Sequence, residues 1–253
     1  MQSDLGRNVM GNVSTVIPKL RRLRYSIAST GLPRVVMEVG SRLLSYRPEA
    51  DRAFDTRYGT DTSGKVEPPS LGIADSELRE RAILYLPSPE KVTRWMLDHI
   101  GIDPRARTFV DLGCGKGRVL LVAAQRPFKR VIGVDLSAEL VAIARRNAER
   151  FRHRSRRCQD IQVHNADATS FDFPESDLLI HLYHPFEPEI TARVLQHLQA
   201  AVAAQPRRVT IAYLLYSGAV GPVREVFARH PWLKETRYES SLFGNYDWLF
   251  FAN

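Results

Sequence analysis

The stretch VDLGCGKGRVLLVAA, residues 110–124, restricts this chain more than any other. An apolar run reads as a buried strand, Gly113, Gly115 and Gly117 follow at every second position, and GRVLLVAAQ reads as a helix. Glycines so placed let the backbone turn tightly and come close to a ligand. From here on, strand and helix patterns alternate. RVIGVD reads as a strand and SAELVAIARRNAERF as a helix capped by Ser137; IQVHNAD and DLLIHLY read as strands. EPEITARVLQHLQAAVAA reads as a long helix, RRVTIAYLL as a strand and GPVREVFARH as a last helix, and LKETRYESSL and YDWLFFAN pair as a terminal hairpin around FGN. Such alternation predicts an α/β fold: a mostly parallel, three-layer sheet with helices on both faces and an antiparallel strand added at the end.

Three regions follow: a basic amphipathic extension over 1–50, a connector over 51–80 and the α/β domain over 81–253. The extension holds eight Lys/Arg against Asp4, Glu38 and Glu49, and VIPKLRRLRYSIAST and LPRVVMEVGSRLLSYR each suit a helix with one apolar face. The connector, FDTRYGTDTSGKVEPPSLG, has the Gly, Pro, Asp, Ser and Thr content of a loop, one placed to fold across the acceptor side of a site. In YLPSPEKVTRWMLDHI, Ser88 suits a helix N-cap and Pro89 the first helical position, with Val92, Trp95, Met96 and Ile100 on one face.

The net charge of +8 includes seven arginines between Arg145 and Arg157. Such a cluster makes nucleic acid a conceivable partner, but no RNA- or DNA-reading motif accompanies it, and a solvated helix end explains it as well. No apolar run has the length to cross a bilayer, and MQSDLGRNVMGNVSTVIPKL lacks the pattern of a secretion signal. Cys114 and Cys158 are too few for a disulfide framework or a zinc site, and His164, His181 and His197 share no ligand spacing, so no metal is expected. A reducing, cytoplasmic setting is expected.

The glycine turn itself discriminates among ligands. A Walker loop needs Ser or Thr after Gly-Lys, whereas Lys116 precedes Gly117. A dinucleotide fingerprint needs a third glycine where Arg118 stands. Asp111, just ahead of the turn, would repel a pyrophosphate but favour a ligand bearing an ammonium group. Asp135 ends the second strand, suited to two ribose hydroxyls, and Asp167 ends the third, suited to an adenine amino group. Together they describe an adenosine site across the carboxyl ends of neighbouring strands.

With these residues in place, the chain from about residue 80 onward resembles the class I S-adenosylmethionine-dependent methyltransferases. VDLGCGKG resembles the first motif of that family, VIGVDLSAELVAIAR the segment after it, NADATSFDF the adenine motif and LLIHLYHPF the fourth-strand motif. The resemblance implies a Rossmann-like sheet of seven strands, the last antiparallel, and S-adenosyl-L-methionine as cofactor. It implies that Asp111, Gly113, Gly115 and Gly117 line the methionine and ribose portion, that Asp135 with Leu136 holds the ribose side, and that Asp167 and Ala168 face adenine. FDTRYGTDT and YLPS are also similar to segments of bacterial relatives, and YLPS with DLGCGKGRV to Dot1-like and ATP-synthase-subunit lysine methyltransferases. That likeness implies that Tyr85 and Ser88 close over the methionine end.

Methyl transfer needs an in-line nucleophile, and a lysine or hydroxyl acceptor must first lose its proton. Tyr183 and His184 at the end of the fourth strand are the catalytic candidates, His184 as a base; Phe186 and Tyr216 are candidates for the acceptor wall. Amino-methylating DNA and glutamine methyltransferases carry Asn/Asp-Pro-Pro-aromatic there; His in place of Asn/Asp and the missing second proline argue against nucleobase N-methylation. The acceptor expected is a protein lysine or a small molecule. An RNA methyltransferase or RNA-binding protein using the arginines, and a non-catalytic cofactor-binding regulator, are the rival readings.

Overall fold

The computed structural model describes residues 48–71, 73, 83–216, 219–240 and 246–253, so the basic extension lies, up to residue 47, outside the described residues. Helix α1 spans Pro48–Tyr58 and α2 spans Glu90–His99. The alternating part follows: β1 (Thr108–Leu112), α3 (Arg118–Ala123), β2 (Arg130–Asp135), α4 (Ala138–Arg150), β3 (Ile161–Asn165) and β4 (Leu178–Tyr183). Then come α5 (Pro188–Ala204), β5 (Val209–Tyr216), α6 (Val220–Ala228), β6 (Lys234–Ser240) and β7 (Tyr246–Ala252). The seven strands form one sheet in the order β3-β2-β1-β4-β5-β7-β6, parallel except that β7 runs antiparallel to both β5 and β6. The expected Rossmann-like architecture is thus the observed one.

The sequence explains the layers. Every residue of β1 is buried, as a parallel strand covered on both faces requires. One core, on the face covered by α1 to α4, gathers Phe54, Met96, Phe109, Leu120, Phe151, Leu179 and Trp248. The other, under α5 and α6, gathers Val110, Ile132, Ile180, Leu195, Tyr213 and Phe251. Side chains alternate between the two faces along each strand, so Phe109 and Val110 belong to different cores. Fully burying a Phe109 or a Leu120 stabilises the fold by about 1.5–3 kcal/mol each. The edge strand β6, KETRYES, is instead mostly exposed and charged, which disfavours pairing with another chain.

Two local expectations are corrected. FDTRY belongs to α1 rather than to a loop, because Phe54 and Tyr58, four apart, both reach the first core. Ser88 is not the N-cap of α2: that position is Pro89, with no side-chain capping bond, and Ser88 is buried. Ser137 does cap α4, accepting from the Leu140 amide at 3.1 Å. Among the described residues no helix is long and apolar enough to cross a membrane.

Candidate active site

The three glycines of the turn all have positive φ, 78°, 53° and 85° for Gly113, Gly115 and Gly117. The turn is anchored to β2, because the amides of Gly113 and Cys114 both donate to the Val134 carbonyl. Its Gly115 amide donates to Asp135 Oδ2 at 2.8 Å, and the Ser137 amide donates to Asp135 Oδ1 at 2.9 Å. Two backbone donors therefore hold the Asp135 carboxylate still while each oxygen keeps a further lone pair for a ligand hydroxyl. Burial pushes Asp135 up to about 6, and nearby Asp111 adds to the rise, while these backbone amides oppose it.

One cleft opens at the carboxyl ends of β1 to β4, where open α/β sheets bind their ligands. Asp111, Gly113, Asp135, Leu136, Asp167 and Ala168 all line it, as do Tyr85, Ser88, Tyr183, His184 and Phe186. Gly115 and Gly117 shape the turn beside it. Asp167 Oδ1 accepts from the Thr169 amide at 2.8 Å, which fixes that carboxylate as Asp135 is fixed. Tyr216 is not among the lining residues, but the Tyr183 hydroxyl donates to the Tyr216 hydroxyl at 2.5 Å, and Tyr246 stands beside both rings. These three tyrosines come from β4, β5 and β7 on the α1–α4 face. Burial pushes the Tyr183 phenol well above its ordinary range, so it is held neutral and is no proton acceptor of the phenolate kind.

His184 separates from Tyr183. Its backbone is left-handed, φ 40°, the one such non-glycine among the described residues. Its ring packs edge-on against Tyr213, at 6.1 Å between centroids, and Tyr213 belongs to the opposite core. Phe186 likewise packs against that second core. Tyr183 and His184, expected as a catalytic pair, therefore present their rings to different faces of the sheet.

The upstream motif is drawn onto the glycine turn. Asp55 accepts from the Thr60 and Thr62 hydroxyls and from the Thr62 and Ser63 amides, all within 2.8 Å, which folds 60–63 into a compact bend. Hydrogen bonds from these groups hold Asp55 below the usual carboxylate range although burial opposes them. Lys116 Nζ reaches Asp61 Oδ1 at 3.0 Å and the Ser63 carbonyl at 2.8 Å. Asn147 of α4 links Asp61 to the turn, donating to the carbonyls of Asp61 and Lys116. Tyr85 donates to the Thr62 carbonyl at 2.7 Å, and its ring lies against Gly115. Asp61 and Thr62 thus clamp the turn from outside.

Sequence reading missed several lining groups. Leu71 and Ile73 of the connector join Leu140 in a small apolar cluster with Leu136 and Tyr85 packed against it, forming one wall of the cleft. Two apolar residues inside an otherwise polar loop were the available signal. Arg118 forms a buried ion pair with Asp51, donates from Nε to Thr62 Oγ1 at 2.8 Å, and lines the cleft only from behind these bonds. His181, whose imidazole meets Asp111, had no local signal at all.

This donor set fits an adenosine bearing an ammonium group. Among the described residues three carboxylates line the cleft, and the one cation lining it, Arg118, is already paired with Asp51. A pyrophosphate would meet repulsion from these carboxylates, with no free cation among the described residues to offset it.

Comparisons with known proteins agree. A family model described as a methyltransferase domain matches residues 109–205. The H3 lysine-79 specific histone-lysine N-methyltransferase of Dictyostelium discoideum is 29% identical over 117 residues, 43% of this chain and 6% of that protein. Ribosomal RNA large subunit methyltransferase G of Aliivibrio fischeri is 47% identical over 57 residues, 22% of this chain and 15% of that protein. The chain therefore spans only a small part of the length of these relatives. The crystal structure of TrmN from Thermus thermophilus superposes with a TM-score of 0.50 at 21% identity, covering 66% of this chain and 49% of that one, a likeness of fold. Strand order, family match and the chemistry of the cleft together identify the chain as carrying a class I S-adenosylmethionine-dependent methyltransferase domain.

Proposed function

We propose that the chain transfers a methyl group from S-adenosylmethionine to the side-chain amine of a protein lysine. The observation that carries the reading is the cleft in which Asp111, Asp135 and Asp167, from three neighbouring strands, surround one glycine turn. When bound, the cofactor supplies a methyl group already activated on a sulfonium. Asp135 accepts from the ribose hydroxyls, Asp167 and the Ala168 amide face adenine, and Leu71, Ile73 and Leu136 cover the nucleoside. Asp111 accepts from the ammonium at the methionine end, and Tyr85 and Ser88 close that end against water.

The acceptor enters over Tyr183. Its neutral phenol, backed from beneath by the rings of Tyr216 and Tyr246, makes a wall that is apolar yet able to accept hydrogen bonds. Cation–π attraction draws the protonated amine in, and the exclusion of water as it enters outweighs that attraction and disfavours its charged form, so the proton leaves to bulk water before transfer. Desolvation by the tyrosines thereby takes over the work expected of His184 as a base. His184 acts through its backbone, turning the chain so that Pro185 lies against Gly113. The H3 lysine-79 specific relative supports a lysine acceptor. The arginine cluster gives little support to RNA, because Arg145 is tied to the Val163 carbonyl and Arg156 to four backbone carbonyls. Arg145, Arg146 and Arg150 lie in the C-terminal half of α4, the end remote from Ser137, and the other four follow it; none of the seven lines the cleft. Two buried thiols and no described membrane helix suit a cytoplasmic protein.

The test is incubation of the full chain with methyl-labelled cofactor and a lysate of cells lacking the protein. Adenosylhomocysteine should form, and the label should be sensitive to protease and recovered as methyllysine. Label released only by ribonuclease would replace the acceptor; absence of adenosylhomocysteine would remove the activity.

Asp135 gives the reading a pH signature. Its carboxyl titrates near 6 in the free protein. Ribose hydroxyls bind the carboxylate better than the acid, so binding releases a proton below that value. Adenosylhomocysteine affinity should be flat above about pH 7 and fall by up to about tenfold per unit below about 5.5. Calorimetry across this range measures it, and Asp135→Asn should bind weakly with the slope gone. A wild-type affinity unchanged down to pH 5 refutes the assignment.

A further inference from the structure

Asp111 of β1 and His181 of β4 occupy partnered positions in the parallel ladder, and both are buried, 3% and 0% exposed. His181 Nδ1 lies 2.7 Å from Asp111 Oδ1. The other ring nitrogen, Nε2, is buried with no hydrogen-bond partner; Trp248 stands edge-on at 5.7 Å and Phe109 is stacked at 6.3 Å. An unpartnered buried polar atom costs stability, and an aliphatic side chain would fill this place without that cost. A bare lone pair against aromatic walls is cheaper than a bare N–H, so the ring proton belongs on Nδ1, donating to Asp111. One oxygen of Asp111 is thereby fixed, and the other is left to accept from a ligand in the cleft that Asp111 lines.

We propose that His181 is a positioning residue for the ammonium end of the cofactor, holding the Asp111 carboxylate in the one orientation from which it receives that group. The proposal rests on the cofactor reading given above. It assigns to a residue in the middle of a strand a role in ligand recognition that its burial conceals. Packing alone does not account for the residue: the same pocket among Phe109, Trp248 and Ala212 would accept leucine.

The test compares two nucleosides on the full chain by calorimetry. Adenosylhomocysteine has the ammonium; 5′-methylthioadenosine shares the adenosine and sulfur but lacks the amino-acid end. His181→Leu should bind adenosylhomocysteine about tenfold more weakly, the scale of one lost charge-assisted hydrogen bond. It should bind methylthioadenosine within about twofold of wild type, although it melts somewhat lower, since buried Asp111 Oδ1 loses its donor. His181→Asn, whose amide nitrogen replaces Nδ1, should restore most of the affinity, whereas His181→Gln, whose amide reaches toward the Nε2 position, should not. Equal loss for both nucleosides, or none for either, overturns the role of His181. Should His181→Leu fail to fold, the comparison of His181→Asn with His181→Gln still decides: equal adenosylhomocysteine affinity in the two overturns the proposal. Wild-type protein that binds neither nucleoside overturns the cofactor reading itself.

Discussion

Asp51→Ala should destabilise the protein by about 3–5 kcal/mol, the usual result of removing one partner from a buried ion pair. The pair joins α1 to the first residue of α3, with Arg118 3% exposed and Asp51 7% exposed. Burial raises Asp51 above the ordinary carboxylate range even though Arg118 pulls it down, so attraction does not fully offset the loss of water. Alanine would leave the guanidinium buried with only Thr62 Oγ1 and the Asp51 backbone carbonyl as acceptors. In a chain of this size the melting midpoint should fall by roughly 6–20 °C. Replacing both charges, Asp51→Leu with Arg118→Met, should recover most of the loss, since no unpaired ion remains. Thermal and urea melts of the wild type and the two variants measure this. A drop under about 1 kcal/mol for Asp51→Ala would show that the pair is not closed off from water.

Gly115→Ala should abolish measurable cofactor binding, an affinity loss of at least about a hundredfold. A Cβ at this position would lie 2.2 Å from Tyr85 Cε2 and 2.4 Å from Cδ2, and the local φ of 53° adds strain for any side chain. The ring cannot simply swing aside. Its hydroxyl is bonded to the Thr62 carbonyl, and the Asp55 bend holds Thr62. Relief must therefore come from the turn, whose movement would pull the Gly115 amide from Asp135. Gly221→Ala is the control, because a Cβ there meets nothing within 4 Å and the position lies in a helix, so stability should be unchanged or slightly higher. Adding Tyr85→Ala to Gly115→Ala removes the clash but not the strain, so binding should return only in part. Circular dichroism and calorimetry on the four proteins separate the effects, and a Gly115→Ala protein with normal affinity would show that the turn yields easily.

Both results depend on contacts that local pattern does not reveal. The tips of β1, β2 and β3 were legible because a parallel strand places the residues at or just past its end at the sheet's carboxyl edge, whatever lies elsewhere. Asp111, Asp135 and Asp167 therefore fell around one cleft as their positions in the sequence implied. Ser88 was misjudged because a serine before a proline has the same local signature whether it caps a helix or lies buried in the wall of a cleft. FDTRY looked like loop by composition, yet two aromatics four residues apart found a core contributed by other segments.

Amphipathic periods and turn residues, which act within a few neighbours, determined the sheet, its helices and the acidic rim from sequence alone. Partners 67 and 70 residues apart, Asp51 with Arg118 and Asp111 with His181, were chosen only when strands met in register and α1 closed on the turn. The same closure sent the rings of Tyr183 and His184 to opposite faces, because successive residues leaving a strand point apart and the left-handed backbone at His184 redirects the chain. Hydrophobic order is written locally and survives in any register, whereas a hydrogen bond between buried polar groups exists only at one.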